Sequence, residues 1–90
     1  MKFEYDEHKS QINKQKHGID FVEAQNLWQD EDALVIPANI VDDEVRYALI
    51  SKIFTKCFTV IFTIRDDTYR IISVRRCRKN EERGYENNNS

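Results

Sequence analysis

Residues 44–75 read EVRYALISKIFTKCFTVIFTIRDDTYRIISVR, and this stretch decides the fold. It contains three runs rich in β-branched and aromatic residues, at 44–54, 57–65 and 69–75, which is typical of strands. Only Thr55-Lys56 and Asp66-Asp67-Thr68 separate the runs, and these lengths fit hairpin loops. The stretch therefore predicts three neighbouring antiparallel strands.

Two helices are predicted before these strands from their end signals. Asp6 is suited to cap a helix that runs to about residue 16, and Gly18 is the residue that most easily adopts the conformation of a helix stop. Asp20 and Glu23 form a capping-box pattern at the start of a second helix, which the acidic residues 30–32 end. Phe21, Leu27 and Trp28 fall at helical spacing, and we expect them to be core residues rather than a platform for nucleic-acid bases.

The remaining segments complete the predicted element order. Residues 2–5 and 33–37 read as strands, the second stopped by Pro37, and residues 40–44 read as an acidic connection. Residues 79–86 predict a final helix that bends or ends near Gly84. The order β-α-α-β-β-β-β-α predicts an α+β fold in which helices cover an antiparallel sheet. We expect one domain, residues 1–86, and a disordered polar tail at 87–90.

The two halves of the chain carry opposite charge. Residues 1–44 hold four basic and eleven acidic side chains, whereas residues 45–90 hold ten basic and five acidic ones. Residues 69–79 contain five basic side chains and no acidic one. Such a patch attracts phosphate even in a protein with a net charge of −2. A solvated strand and helix surface explains the same charges, so both interpretations stay open.

The cysteines and the apolar runs indicate the compartment. The chain opens with no signal-peptide pattern and has no apolar run near the roughly 20 residues that span a bilayer, so we expect a cytoplasmic protein without a membrane partner. Cys57 and Cys77 are therefore expected to be buried thiols rather than a disulfide. With His8 and His17 they form no metal-ligand spacing, and we expect neither a metal nor a cofactor.

The two ends of the chain resemble the BrnT family of toxins. The first block that carries the resemblance is Phe3-Glu4-Tyr5-Asp6, followed by Lys9, Asn13, Lys16-His17-Gly18-Ile19, Phe21 and Glu23-Ala24. The last block is Arg70-Ile71-Ile72-Ser73-Val74-Arg75 with Glu81 and Tyr85, and Glu44-Val45-Arg46-Tyr47 lies between the two. The resemblance covers residues 3–86, nearly the whole chain.

The resemblance implies a fold, an activity and partners. It implies a RelE-like fold, cleavage of RNA without a metal, and neutralisation by a BrnA-like antitoxin that carries a ribbon-helix-helix domain. The implied complex is a 2:2 heterotetramer that represses its own operon and contacts operator DNA only through the antitoxin.

Arginines on the predicted strands are the candidates for the chemistry. In metal-free cleavage the 2′-hydroxyl attacks the neighbouring phosphate, and fixed cations on the phosphate oxygens stabilise the transition state. Arg46, Arg65 and Arg75 lie in or at the ends of three neighbouring strands, and arginine binds phosphate through two points. Arg70 has the opposite strand parity to Arg75, so both cannot line one face of a regular strand. We expect Arg75 in the site and Arg70 in an ion pair or against the RNA backbone.

His17 is the candidate acid or base, because its ordinary pKa is near working pH. Its place just before Gly18 also suits a residue that stabilises helix carbonyls, and this alternative stays open. Glu23 has the same two interpretations, since it also completes the capping box. The residues predicted to bind RNA are Lys16, Arg70, Arg76, Arg78 and Lys79.

A second function fits the same features. A non-catalytic module that pairs with the antitoxin to form a repressor complex needs no catalytic residue. DNA binding by the chain itself is not indicated, because the sequence has no helix-turn-helix signature and its helices are not the basic part.

Overall fold

The elements of the chain form one five-stranded sheet with helices packed against it. The computed structural model describes residues 1–88. The elements are β1 (Lys2–Glu4), α1 (Glu7–His17), α2 (Phe21–Ala24), a 3₁₀ helix (Gln25–Gln29), β2 (Leu34–Val41), β3 (Glu44–Ile53), β4 (Lys56–Arg65), β5 (Thr68–Arg76) and α3 (Lys79–Asn88). The strands lie in the order β1-β5-β4-β3-β2 across the sheet. The predicted α+β class and element order are confirmed.

Tight hairpins join the consecutive strands β2, β3, β4 and β5. The three strands predicted from residues 44–75 are antiparallel neighbours, as expected. Asp42-Asp43 and Asp66-Asp67 form two of the turns, and all four residues have positive φ. This is the conformation of a type I′ turn, which aspartate tolerates better than most residues. The acidic connection predicted at residues 40–44 is therefore only the turn Asp42-Asp43, because Ile40, Val41 and Glu44 belong to the paired strands.

Strand β2 is longer than predicted. It continues past Pro37 to Val41, and its pairing with β3 shifts by one residue between Pro37 and Asn39. β2 is an edge strand, where a proline is tolerated because its missing N–H can face away from the neighbouring strand. The prediction that Pro37 stops the strand is therefore wrong.

Strand β1 makes the sheet mixed rather than purely antiparallel. It pairs in parallel with β5, with Lys2 opposite Thr68 and Glu4 opposite Arg70. A parallel pair needs a long crossover, and here residues 5–67 lie between the two strands. The expected antiparallel sheet is corrected to four antiparallel strands with one parallel edge.

One face of the sheet, which carries Leu49, Val60 and Val74, is called the core face. It packs against Phe21 and Leu27, and Leu49, Val60 and Val74 belong to the same buried cluster. Burying a side chain of this size contributes roughly 1.5–3 kcal/mol. Trp28 packs edge-on against Phe3 and Phe62, and it is partly buried. The expectation that Phe21, Leu27 and Trp28 are core residues is confirmed.

The helix ends on the core face follow the sequence signals. The Asp6 side chain accepts a hydrogen bond from the Lys9 N–H, and Gly18 ends α1 with a φ of 76°. Asp20 and Glu23 form the predicted capping box of α2. The buried Asn13 side chain then joins α1 to the sheet, because its amide oxygen accepts from the Val74 N–H and its nitrogen donates to the Val74 carbonyl.

The opposite face, which carries Arg46, Thr59 and Arg70, is called the arginine face. α3 covers one end of it, where Tyr85 packs with Ile50 and Cys57. α3 runs through Gly84 to Asn88, so the prediction that the helix ends near Gly84 is wrong. Residues 87 and 88, which were expected to begin a disordered tail, are the last residues of this helix. Residues 89–90 lie outside the described residues. None of the helices within residues 1–88 has the length and apolar character needed to span a membrane.

Cys57 and Cys77 form a disulfide, so the expectation of two buried thiols is wrong. Their Cα atoms are 5.4 Å apart, and the Cys77 N–H donates to the Cys57 carbonyl. The β4–β5 hairpin brings them together, since the neighbouring pair in register is Phe58 with Arg76. A separation of 20 residues along the chain is a short distance across a hairpin. The disulfide therefore ties Cys77, which lies between β5 and α3, to Cys57 at the start of β4.

Candidate functional site

Arginines from three strands lie on the arginine face. Side chains along a strand point alternately to the two faces of the sheet. The residue opposite each arginine on the neighbouring strand therefore shows which face the arginine occupies. The four arginines on this face are Arg46 on β3, Arg65 on β4, and Arg70 and Arg75 on β5.

The prediction that Arg70 and Arg75 lie on opposite faces is wrong. Arg75 pairs with Thr59 and Arg70 pairs with Thr63, and these threonines are four residues apart on β4. The pairing of β5 shifts by one residue at Ile72, which adds one residue to β5 that has no partner on β4. This β-bulge restores Arg70 to the face of Arg75.

Three of these residues form a group at the open end of the face, and we call Arg46, Arg65 and Arg70 the arginine cluster. The Arg65 Nε donates to a Glu44 carboxylate oxygen at 2.7 Å, and its Nη2 donates to the other oxygen at 3.2 Å. Arg70 lies 3.7 Å from a Glu4 carboxylate oxygen. The hydrogen bond from Arg65 lowers the pKa of Glu44, and the charges of Arg46 and Arg70 lower it further. The cluster carries three positive charges against two negative ones.

Arg46 differs from the other two arginines of the cluster. Its Nε is shielded from solvent and has no hydrogen-bond acceptor among residues 1–88. A buried donor without an acceptor costs about 1–3 kcal/mol. An anion with two oxygens, such as a phosphate, would satisfy such a donor and a second guanidinium N–H together once the partly exposed Arg46 side chain turns its Nε toward the anion. Arg46 is therefore the member of the cluster best suited to hold an anionic ligand.

Arg75 is held by α3 at the other end of the face. Its two terminal nitrogens donate to the two Glu81 carboxylate oxygens at 2.7 and 2.9 Å. The Thr59 hydroxyl also donates to Glu81, at 3.1 Å. The bond from Arg75 is the main cause that lowers the pKa of Glu81 to about 2. The structure therefore does not present Arg75 as a free guanidinium beside the arginine cluster.

His17 lies at the end of α1, which packs against the core face through Asn13 and Val74. Its side chain is exposed. An acid or base for the arginine cluster has to lie on the arginine face, whereas α1 packs against the opposite face of the sheet, so the structure does not bring His17 to the cluster. Its place in the last turn of α1 fits the alternative interpretation, in which it stabilises the helix end.

The residues predicted to bind RNA do not form one surface. Arg76 lies on the core face, with its guanidinium carbon 5.6 Å from the centre of the Phe58 ring, whereas Arg70 lies on the arginine face. Lys16, Arg78 and Lys79 are exposed at the end of α1 and the start of α3.

Glu23 has a structural explanation. Its carboxylate accepts from the Asp20 N–H at 3.1 Å and from the Lys14 ammonium at 2.6 Å. These bonds, with Lys14 first, lower its pKa. Glu23 is therefore an ionised residue that joins α1 to α2.

The chain matches one known protein family over most of its length. Residues 5–81 match the family described as the ribonuclease toxin BrnT of type II toxin–antitoxin systems. The chain belongs to the BrnT family. The resemblance stated from the sequence blocks is confirmed, and no curated protein matches the chain.

Membership of the BrnT family gives the coarse function. The chain is a toxin of a type II toxin–antitoxin system with ribonuclease activity, and it has an antitoxin as partner. The matched residues include the whole arginine cluster as well as Arg75 and Glu81.

Sequence reasoning missed the acidic partners of the BrnT arginines. Glu4 and Glu44 lie far along the chain from their partners Arg70 and Arg65. Glu81 is close in sequence to its partner Arg75 but lies on another element. Their pairing depends on strand register and on where α3 lies, which a single sequence does not give. A useful signal is present only for Glu81, since it follows Arg75 by six residues at the start of a predicted helix.

Proposed function

We propose that this BrnT-family ribonuclease cleaves RNA without a metal ion and holds the scissile phosphate at the arginine cluster. The observation that carries the proposal is the buried Nε of Arg46, which has no acceptor within residues 1–88 and has the two other guanidinium groups of the arginine cluster on the same face. Phosphate is a strong acceptor that matches this donor arrangement. An endoribonuclease of this kind inhibits translation by destroying RNA.

The proposed reaction needs charge stabilisation more than a metal. The 2′-oxygen attacks phosphorus, the bond from phosphorus to the 5′-oxygen breaks, and a 2′,3′-cyclic phosphate and a 5′-hydroxyl end remain. The 2′-hydroxyl loses a proton to a base, and the leaving 5′-oxygen gains one from an acid. Negative charge grows on the phosphate oxygens during attack, and fixed guanidinium donors stabilise it without reorganising. Arg46 is the central donor in this scheme, with Arg65 and Arg70 beside it.

The experiment is a cleavage assay on purified Arg46→Ala and Arg46→Lys proteins. Loss of one preorganised donor typically reduces kcat by about 10²–10³-fold. We expect a loss of that size in Arg46→Ala and a partial loss in Arg46→Lys, which keeps the charge but not the two-point geometry. Arg83→Ala is the matched control, because Arg83 is an exposed arginine on α3. Wild-type cleavage by folded Arg46→Ala protein excludes this site.

The remaining predicted residues are tested in the same assay. Arg65→Ala and Arg70→Ala should lose less activity than Arg46→Ala, since each already has a carboxylate partner. His17→Ala tests the proposal that His17 supplies the acid or base. A lost pH dependence of cleavage supports that role, and an unchanged pH profile contradicts it. The proposed RNA contacts are Lys16, Arg76, Arg78 and Lys79. The RNA affinity of their alanine variants should depend less steeply on salt concentration than that of wild type.

The proposed partner is a BrnA-like antitoxin with a ribbon-helix-helix domain. We propose that it forms a 2:2 complex with this chain in the cytoplasm and supplies the contacts to operator DNA. We also propose that the α+β fold is RelE-like. Mass measurement of the co-expressed complex by light scattering tests the stoichiometry, and a 1:1 mass contradicts it.

A non-catalytic binding module is the second candidate function. The observation in its favour is that Arg65 and Arg75 already hold carboxylates in two-point contacts. Inducing the chain alone in cells separates the two candidates, because only the ribonuclease arrests translation. The Arg46→Ala variant should then be tolerated by the same cells.

A further inference from the structure

Phe54 is a large apolar side chain that lies in solvent. It occupies the first position of the two-residue turn between β3 and β4, and 97% of its surface is exposed. It belongs to neither of the two buried clusters of the fold. Its exposure therefore has no explanation in the packing of residues 1–88.

The backbone at Phe54 is strained as well. Its φ is 57°, a value that bulky residues rarely adopt. Of the two turn residues, only Phe54 has positive φ, which is the pattern of a type II′ turn, where glycine is preferred at the first position. The other two hairpin turns place aspartate at their positive φ values. Strain of this kind concentrates at functional sites.

A cleft lies directly beside Phe54. Its volume is about 260 Å³, below the roughly 300 Å³ at which pockets for whole small molecules begin, so it suits one part of a larger ligand. The cleft lies between the β3–β4 turn and the residues after α1. Its lining includes Gly18, Ile19, Glu23, Phe54, Lys56 and Phe58.

The charge around the cleft favours an anionic ligand. Lys56 forms part of the wall, and the Arg76 guanidinium lies 5.6 Å from the centre of the Phe58 ring. The one acidic residue among the lining residues, Glu23, is paired with the Lys14 ammonium at 2.6 Å. An exposed aromatic side chain next to a positively charged surface is the arrangement that binds single-stranded nucleic acid, and Phe54 and Lys56 supply these two features at one edge of the cleft.

We propose that Phe54 stacks on an unpaired RNA base while Lys56 contacts the adjacent phosphate. This inference rests on the proposed ribonuclease function and adds a binding site for single-stranded RNA outside the arginine cluster. Stacking on an exposed aromatic ring is available only to bases that are free of a duplex. The site therefore selects single-stranded segments, with little preference among the four bases.

The decisive variant is Phe54→Asn, because asparagine tolerates positive φ and removes the aromatic ring. The probe is a fluorescein-labelled 2′-O-methyl oligonucleotide, which the ribonuclease cannot cut because it has no free 2′-hydroxyl. We expect Phe54→Asn to bind this probe 10–100-fold more weakly than wild type and to melt at the same or a higher temperature. Phe54→Trp should retain binding. Ile64→Thr is the control, since Ile64 is also an exposed apolar residue but lies near the other end of β4.

A strand of the same length with abasic sites identifies the group that is bound. Wild type should bind it more weakly than the base-bearing strand, and Phe54→Asn should bind both alike. Equal binding of the base-bearing strand by wild type and Phe54→Asn overturns the inference, and it leaves the proposed function intact if Arg46→Ala still loses cleavage. Loss of antitoxin binding alone in Phe54→Asn also overturns it, because Phe54 is then a protein-docking residue.

Discussion

Arg75 and Glu81 form a two-point ion pair that joins the end of β5 to the first turn of α3. Both side chains are partly buried, and the Glu81 side chain is only 13% exposed. A second bond from Thr59 fixes the same carboxylate to β4. The pair therefore holds α3 against the arginine face.

We first predict that Arg75→Ala is mainly a stability variant. Removing Arg75 leaves the partly buried Glu81 carboxylate with neutral donors but without an opposite charge, at a cost of about 2–3 kcal/mol. A domain of this size should then melt roughly 10–20 °C lower. Thermal unfolding followed by circular dichroism measures the shift. An unchanged melting temperature with abolished cleavage supports instead the sequence-based hypothesis, in which Arg75 binds the phosphate.

The second prediction concerns the loss of folding stability at low pH. The Glu81 pKa is about 2 in the folded protein, below its ordinary value of 4.5. A depressed carboxyl pKa contributes stability that is present above about pH 4.5 and is lost as the pH falls toward 2. The size of this contribution is about 3 kcal/mol. Urea unfolding of wild type and Glu81→Gln at pH 7, 4 and 2.5 should show the difference between them shrinking with pH. A constant difference contradicts the prediction.

The third prediction concerns the disulfide between Cys57 and Cys77. Closing a loop of 20 residues should stabilise the fold by about 3 kcal/mol, through the unfolded chain. Adding a reductant should lower the urea midpoint of wild type and leave that of the Cys57→Ala/Cys77→Ala double variant unchanged. If both proteins have the same midpoint without reductant, the disulfide makes no such contribution.

The fourth prediction concerns the loss of folding stability at high pH. The Tyr85 hydroxyl donates to the Asp30 carboxylate at 2.7 Å, and burial together with this negative neighbour raises the pKa of Tyr85 to about 12. A raised pKa means that the neutral phenol contributes stability below about pH 10, which is lost as the pH rises through 12. Tyr85→Phe should be less stable than wild type at pH 7, by about 1–2 kcal/mol. It should also lack the component of alkaline unfolding between pH 10 and 12, as measured by circular dichroism.

The fifth prediction concerns Asn13. This buried amide bonds to the backbone of Val74 and to the Ile19 carbonyl, so it satisfies three backbone groups at once. Asn13→Ala should cost about 3 kcal/mol, because these groups lose their partner in a place without water. Ser10→Ala, which removes one hydroxyl bond to the Phe21 N–H, should cost less. Equal losses in the two variants contradict the argument.

Local signals were sufficient for the helices and hairpins. Asp6, Gly18 and the Asp20–Glu23 pair act within a few residues of the ends that they define, so a single sequence contains all the information that is needed. The same holds for the alternating β-branched runs of β3 to β5. The end of β2 was mispredicted because the effect of Pro37 depends on whether a neighbour lies on both sides of the strand.

The candidate site was predictable only in part. The sequence predicted that Arg46, Arg65 and Arg75 share one face of the sheet, and all three do lie on the arginine face, where Arg70 joins them. The face of Arg70 depends on a bulge at Ile72, and nothing in the isoleucine pair there marks it. The roles of Arg75 and His17 depend on α3 and α1, whose placement over the sheet no local signal defines.

The parallel pairing of β1 with β5 sets the order in which the chain can fold. Within residues 1–88, β1 pairs in the sheet with Thr68 to Arg70 alone, so that edge is incomplete until residues 68–70 have been synthesised. Long loops of this kind must close before their contacts stabilise anything, which makes such folds slow to form. We therefore expect fragments truncated before Thr68, which lack β5 and with it the pairing partner of β1, to remain unfolded.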